Sequence, residues 1–246
     1  MDKMVFLAGA AAQETMLAQG ISANNLANIG TNAFKAQLQN ARSQPMYGPG
    51  HPTRVYSLTE SLGNNFAAGS MQSTGNALDV AINGQGWFAV QAADGTEAYS
   101  RRGDLSINAD SLLENGRGEL ILGTSGPISI PPAQRINIGE DGLITTSPFG
   151  HDNAKVVVGR LKMVDLDSKS LIQKEDGLFH TITGSPADAS ASVTLKSGML
   201  ETSNVNAVSE LINLINLARQ HELNIKSMTI AQDNDEASAR LTQISG

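Results

Sequence analysis

The 246 residues contain no cysteine, which excludes a disulfide framework, a thiol nucleophile and a thiolate zinc site. That absence suits a cytoplasmic chain and a secreted one equally, so it leaves the compartment open. Basic clusters are missing too. Seventeen Lys and Arg against 24 Asp and Glu give a formal charge of −7 and a pI near 5.0. Phosphate backbones are bound by grouped cations that release counterions, so no nucleic-acid partner is expected. A charge of −7 on a chain this size mainly keeps the monomer soluble. The N-terminal apolar run, 4–12, is far short of the ~20 residues a membrane-spanning helix needs, and no membrane insertion is expected. Aromatics are scarce at 4%, yet 40% of the chain is hydrophobic and glycine is frequent at 24 residues. The composition is that of a folded chain with one large domain or two modest ones.

Patterns for chemistry are equally thin. His51, His151, His180 and His221 accompany many serines, but no G-x-S-x-G elbow accompanies them. His221-Glu222 begins an H-E-x-x-H motif whose second histidine is replaced by Ile225. Gly84-Gln85-Gly86 lacks the third glycine of a dinucleotide loop and reads as a turn between strands. Asp233, Asp235 and Glu236 lack the spacing and glycine of a calcium loop, so a solvated helix face is expected there. No enzyme activity, cofactor or metal is expected.

What the chain does have is a helix at each end. Leu211, Leu214, Ala218, His221, Ile225 and Met228 step by three and four, a single helical seam. Val208, Ile212 and Ile215 draw a second stripe beside it, and Leu217 falls on neither. Asn204 and Asn206 are candidate N-caps, because a short side-chain oxygen can accept from first-turn amides. Some 40 uninterrupted residues would span roughly 60 Å, longer than a small domain needs, and that length points to other chains. At the other end, Lys3 and the apolar run behind it imitate a secretory signal peptide. Asp2 cancels that charge, however, and a seam continues well beyond any cleavage point. It comprises Met4, Leu7, Ala11, Glu14, Ala18, Ile21, Asn25 and Asn28, so an uncleaved helix is expected. Both seams have the same register, and the alanines at 8, 10, 11 and 12 would allow close approach.

Between the ends the texture changes. Gln44 to Gly50, with His51 and Pro52, read as a linker or irregular arm. From about Gly69 the period falls to two, with Leu78, Val80 and Ile82 alternating with polar or small residues before an Asn83-Gly84 turn. Trp87 to Gln91 follows, then an Asp94-Gly95 turn. Further short strands are expected at 105–107, 120–122, 128–130, 136–138, 143–145, 156–158, 161–164 and 193–195. Of Trp87 and Phe88 only one can face a core, which leaves the other for a neighbour. The expected class is α+β: long terminal helices pairing as a coiled-coil-like layer, with an irregular antiparallel β-rich middle domain. The expected divisions are an N-terminal helix in 1–35, a linker or arm in 36–68, a β-rich domain in 69–202 and a C-terminal helix in 203–246.

Three blocks of residues carry a resemblance. Ser22-Ala23-Asn24-Asn25-Leu26-Ala27-Asn28 followed by Thr31-Asn32-Ala33-Phe34-Lys35 resembles the N-terminal signature of bacterial flagellar rod and hook proteins. Thr74 to Phe88, continued by Tyr99-Ser100-Arg101-Arg102-Gly103, resembles the middle signature of that family. Ser203-Asn204-Val205-Asn206, with Arg219, Glu222, Asn224 and Lys226 downstream, resembles its C-terminal helix. Trp87-Phe88-Ala89-Val90-Gln91 and Gly126-Pro127-Ile128 with Pro131-Pro132 are most similar to proximal-rod members, with distal-rod members as near neighbours. Two positions depart from the family: Ala33 stands where glycine is usual, and His221 where an aromatic is usual.

The resemblance implies a structural subunit of the basal-body rod, a shaft that crosses the periplasm and transmits torque. Its partners would be other copies of itself, other proximal and distal rod subunits, and the flagellar type III export apparatus, through which it would pass unfolded without a cleaved signal. The assembly interface it implies comprises Met4, Leu7, Ala11, Ala18, Ile21, Asn24, Asn25, Leu26, Asn28, Phe34 and Lys35. From the C-terminal part it adds Asn204, Asn206, Leu211, Leu214, Ala218, Arg219, His221, Glu222, Ile225 and Met228. The three asparagines 24, 25 and 28 read either as helix-end caps or as buried amides fixing register between helices. A distal-rod subunit or a hook-type axial protein is the alternative within the family. A secreted carbohydrate-binding or adhesin-like β protein is the alternative outside it, and it leaves the helical ends without a purpose.

Overall fold

A computed structural model describes residues 4–45, 55–150 and 155–244. The stretch 46–54, which holds most of the proline- and glycine-rich segment and His51, lies outside the described residues, as does His151. The chain divides into two compact units: residues 1–28, 37–64 and 205–246 form the first, and residues 29–36 with 65–204 form the second.

In the first unit, helix α1 (Met4–Ala27), strands β1 (Gln37–Pro45) and β2 (Val55–Asn64), and helix α2 (Ala207–Ile244) pack together. At 38 residues, α2 runs roughly 57 Å. Asn206 is its N-cap: the side-chain oxygen accepts from the Ser209 amide at 3.1 Å, and the carbonyl accepts from the Glu210 amide at 3.0 Å. Asn204 is not a cap, since its side chain is engaged elsewhere. Segment 36–68, expected as a linker or irregular arm, carries an antiparallel hairpin that pairs Gln37 with Asn64 and Pro45 with Val55, with a bulge at Leu38/Gln39. Its first strand, Gln-Leu-Gln-Asn-Ala-Arg-Ser-Gln-Pro, is polar on both faces. A strand held by backbone pairing rather than by a buried face has no period-two apolar signal.

The second unit is built of β-strands with a 3₁₀ turn at Ser168–Ser170. Its strands are β3 (Met71–Ser73), β4 (Val80–Asn83), β5 (Trp87–Gln91), β6 (Glu97–Ser100), β7 (Leu105–Ile107), β8 (Leu113–Asn115), β9 (Leu120–Gly123) and β10 (Gly126–Pro127). They continue with β11 (Arg135–Ile138), β12 (Leu143–Ser147), β13 (Val156–Arg160), β14 (Met163–Val164), β15 (Leu171–Gln173), β16 (Phe179–Thr181), β17 (Thr194–Ser197) and β18 (Met199–Glu201). The main sheet runs β15-β16-β6-β5-β9-β8-β7, with β14 on β5 and β10 on β9, while β11-β12-β13 form a smaller one. The first strands pair with the last: β3 with β18 and β4 with β17, both antiparallel. The unit is therefore closed by residues more than a hundred positions apart.

Most expected strands are present, and two expectations are corrected. Residues 128–130 do not form a strand of their own; Gly126–Pro127 pairs with β9 and Ser129 makes an isolated bridge to Leu112. Pro131-Pro132 follow at once and have no amide to donate to a ladder. Trp87 and Phe88 are both buried, because β5 is covered on both faces. Phe88 and Val90 enter the larger core with Ile82, Leu113, Ile121 and Ile144. Trp87 enters a second cluster with Tyr99, Val164 and Phe179, its ring 4.8 Å from that of Phe179 and 5.6 Å from that of Phe66. Gly84 and Gly86, with φ of 94° and 129°, make the β4–β5 turn that their sequence implied.

Tyr99 ties a loop to this second cluster and provides a pH probe. Its hydroxyl donates to Glu97 Oε1 at 2.9 Å and accepts from the Ala187 amide at 2.8 Å. Burial pushes its pKa from 10.0 up to about 12; Glu97 adds to the rise and the Ala187 amide opposes it. The unfolded chain gives up this proton first, so the stabilisation is fully present below pH 10.0 and is lost as pH rises toward about 12. Urea midpoints on either side of pH 10.0 should fall more for the native chain than for Tyr99→Phe. An equal fall in both would show that this phenol is not responsible.

Candidate assembly surfaces

Within the first unit, α1 turns a row of small residues inward: Ala8, Ala12, Thr15, Ala18, Ser22 and Asn25 are its buried positions. Small side chains let two helices approach closely, and Gly9 shows how close they come, since a Cβ there would lie 3.7 Å from Met228 Cε. Side-chain hydrogen bonds join α1 to α2. His221 Nδ1 donates to the Ala12 carbonyl at 3.2 Å, and Asn224 Nδ2 donates to Thr15 Oγ1 at 3.3 Å. Asn25 links three elements: its oxygen accepts from the Gln37 amide at 2.8 Å, and its amide donates to Gln37 O at 3.0 Å and Glu210 Oε1 at 3.4 Å. Asn28 closes the helix end locally by donating to Asn24 O at 2.9 Å, and Asn24 itself is exposed.

The seam of α2 falls about one residue away from the expected one. Leu214, His221 and Met228 are partly covered, but Leu211, Ala218 and Ile225 are exposed along with Arg219 and Glu222. Leu217, assigned to neither stripe, is partly covered with Glu210 and Asn224, and Ala231 is buried. On α1, Ala18 is buried, Leu7, Ala11, Ile21 and Leu26 are half-buried, and Met4 is exposed. Steps of three and four identify a helix with a buried side; they do not say which neighbour covers which side.

At about 100° per residue, Val208, Ile212, Ile215, Leu223 and Ile230 project from the side of α2 opposite its covered positions. All five are about half exposed or more, from 49% to 65%. Leu211 and Ile225 flank this stripe, and Phe6, Met16 and Leu17 are exposed on α1. Arg219 and Lys226 break the stripe between Ile215 and Ile230, but five exposed aliphatic side chains on one side of a helix still mark a surface meant to be covered.

The second unit holds a different device. After α1 the chain enters this unit through Ala33, Phe34 and Lys35, and it leaves through Glu201 and Asn204. Lys35, Arg101 and Glu201 form a buried ion cluster, with side chains 0%, 4% and 1% exposed. Lys35 Nζ donates to Glu201 Oε1 at 2.6 Å and to Ala67 O at 2.9 Å. Arg101 Nε donates to Glu201 Oε2 at 2.9 Å, and its Nη2 donates to Gly84 O at 2.7 Å. The Arg101 guanidinium sits 5.9 Å from the centroid of the Trp87 ring. The Gly69 amide adds a further donor to Glu201 Oε1 at 2.9 Å. Asn204 stitches the same junction, accepting from the Ala36 amide at 2.8 Å and donating to Asn65 O and Ala67 O at 2.7 and 2.9 Å. Burial pulls the Lys35 pKa below its usual 10.5, Glu201 opposes that shift through its hydrogen bond and charge, and Arg101 reinforces it.

Lys35 and Asn204, expected at an assembly interface, thus have their polar groups engaged inside the chain, and Phe34, next to Lys35, is half-buried. Arg101 and Glu201 were not expected as partners of Lys35. Nothing in a single sequence ties three charges at such separations to one another.

Ala33 has φ of 57°, in the left-handed region, and its amide donates to Glu201 O at 2.8 Å. An L-residue with a Cβ is strained there by about 1–2 kcal/mol. Glycine removes that strain but costs about 0.5–1 kcal/mol of chain entropy. Ala33→Gly is therefore expected to stabilise the second unit by roughly 0.5–1 kcal/mol, read as a higher urea midpoint by Trp87 fluorescence. A lower midpoint would mean that packing of the alanine methyl outweighs the strain.

Residues 81–146 match the flagellar hook protein FlgE/F/G D1 domain, and residues 196–241 match the flagellar basal body rod FlgEFG protein C-terminal family. The chain is 34% identical over 252 aligned residues to the flagellar basal-body rod protein FlgF of Escherichia coli (strain K12), covering 100% of both. The FlgF of Salmonella typhimurium gives the same identity and coverage. The rod protein FlgG of Buchnera aphidicola subsp. Schizaphis graminum is 30% identical over 247 residues, 91% of this chain and 92% of that one.

Proposed function

The chain belongs to the flagellar basal-body rod protein family and is a structural subunit of the rod; from that premise we propose that it sits in the proximal rod and assembles through its terminal helices. The observation that carries the assembly reading is the aliphatic stripe on α2, which lies on the side of the helix that α1 does not cover. Water does not tolerate such a stripe cheaply on a helix of this length, and a second subunit would cover it. The covered face and the free face are different surfaces, so a contact between the stripe and another face of the next subunit is heterologous. Heterologous contacts that do not close build helical assemblies.

In this reading α1 and α2 form an inner layer with coiled-coil-like packing, and the β-rich unit forms an outer one. The interface residues are the exposed members of the α2 stripe and its flanks, with Arg219 and Glu222 setting register by charge. Its neighbours are copies of itself and other rod subunits, and it reaches them unfolded through the flagellar export apparatus. No helix among the described residues is long and apolar enough to cross a membrane. The aliphatic stripe is better explained by a protein neighbour than by lipid, since Arg219, Glu222 and Lys226 interrupt it.

The test is a deletion strain complemented with the full chain or with residues 1–30 removed, scored for motility and for basal bodies. Loss of rods in the deletion and rescue by the full chain alone are expected. Normal rods without the protein would overturn the reading.

A further inference from the structure

We propose that Glu201 is an arrival gate for the β-rich unit: its core closes only when the last strand delivers this carboxylate between two cations supplied 166 and 100 residues earlier. Three observations carry this. First, Lys35, Arg101 and Glu201 come from three distant parts of the chain and meet with side chains almost wholly excluded from water. Second, the cluster carries a net positive charge, so without Glu201 it consists of two like charges in a dry site. Burying an ion without its partner is strongly unfavourable. Third, the strands closing the unit come from the same late segment. Glu201 is the last residue of β18 on β3, its carbonyl accepts the Ala33 amide, and the Thr202 amide donates to Ser70 O at 2.8 Å.

Stability alone does not explain such a cluster. Well-packed apolar side chains in place of a buried ion group are often as stable or more so. What the charges add is a penalty on every state in which the early residues have collapsed and the late one is absent. A chain emerging amino-terminus first would hold its β-rich unit open until residues 199–204 were free, with only residues 205–246 outstanding. That use rests on the rod-subunit reading and its export route; the gate itself is a property of the chain.

Two arms test it, both read by the single tryptophan, Trp87, which lies beside Arg101, and by protease resistance of purified protein. In the full chain, Glu201→Gln should lower the folding equilibrium constant of the β-rich unit on the order of 10²–10³-fold. The triple variant Lys35→Met/Arg101→Met/Glu201→Leu should return it to within about tenfold of the native chain. By protease resistance of the full-length chain, Glu201→Leu should be cleaved within the β-rich unit, whereas adding Lys35→Met/Arg101→Met to it should restore a protected core. A Glu201→Gln chain as stable as the native one would overturn the proposal. So would a triple variant no better than Glu201→Gln, or equal protection of the Glu201→Leu and triple-variant chains. These arms need no assembly, so their failure leaves the rod reading standing, and failure of the complementation test leaves the gate standing.

Discussion

Gly103→Ala is expected to cost the β-rich unit about 3 kcal/mol or more, a large part of the ~5–15 kcal/mol that holds a domain folded. A Cβ on residue 103 would overlap the Val80 carbonyl oxygen and lie 2.8 Å from its carbon. The obstacle is backbone, which cannot swing aside as a flexible side chain can. Moving it would also stretch the bond from the Val80 amide to Gly103 O, 2.9 Å long. Val80 begins β4, fully buried in the larger core and paired with β17, so a shift there spreads into the sheet. Gly69→Ala should act similarly at the other edge, where a Cβ would overlap Thr202 O and lie 2.9 Å from its carbon. Gly159→Ala is the control: nothing lies within 4 Å of a Cβ there, and the change should stay within about 0.5 kcal/mol. Urea unfolding followed by Trp87 fluorescence distinguishes them. Equal midpoints for the Gly103 and Gly159 variants would refute the close-approach argument.

The second large effect is expected on assembly rather than folding. Ile212 and Ile215 are each 53% exposed on the outer stripe of α2. If a neighbouring subunit covers them, each gains about half of the ~1.5–3 kcal/mol of full burial, because the rest is already covered in the monomer. Ile212→Asp/Ile215→Asp should therefore weaken subunit addition about 10–10²-fold, before any penalty for burying the new carboxylates. The monomer should keep its helix content, because both side chains are half in water already. Leu217→Asp makes the contrast. That leucine is partly covered in the groove that Ala11, Ala18 and Gln39 also line, so its replacement should loosen the helical unit itself. Circular dichroism of purified protein and rod formation in a complemented strain separate the two. Rods formed normally by the double aspartate variant would show that the stripe is not an assembly surface.

How much of this was legible in the sequence differs from element to element. The terminal helices were, since α1 and α2 announce themselves by steps of three and four, an absence of proline and an asparagine cap at 206. β5, β7, β9 and β11 were legible from alternation and turn residues. The three motif blocks gave the family, and the rod relatives extend over the whole chain. The polar hairpin at 37–64 was not legible, because its pairing is made by backbone groups that every sequence has. Strands β16, Phe-His-Thr, and β18, Met-Leu-Glu, have no apolar–polar–apolar alternation to read.

The candidate site divides in the same way. Sequence periodicity by itself determined that each end is a helix with a buried side, and local chemistry determined the turns, the cap and the absence of a cysteine framework. Only the tertiary structure decided which side is buried. It placed small residues of α1 against α2 and left Val208, Ile212 and Ile215 facing outward. It also decided that Trp87 and Phe88 are both core, through two layers on one strand. Finally, it brought Lys35, Arg101 and Glu201 together. Spacing along the chain reports neighbours one or two turns apart, whereas the partner of a buried charge is chosen by strand pairing over a hundred residues or more, where sequence distance carries no geometric information.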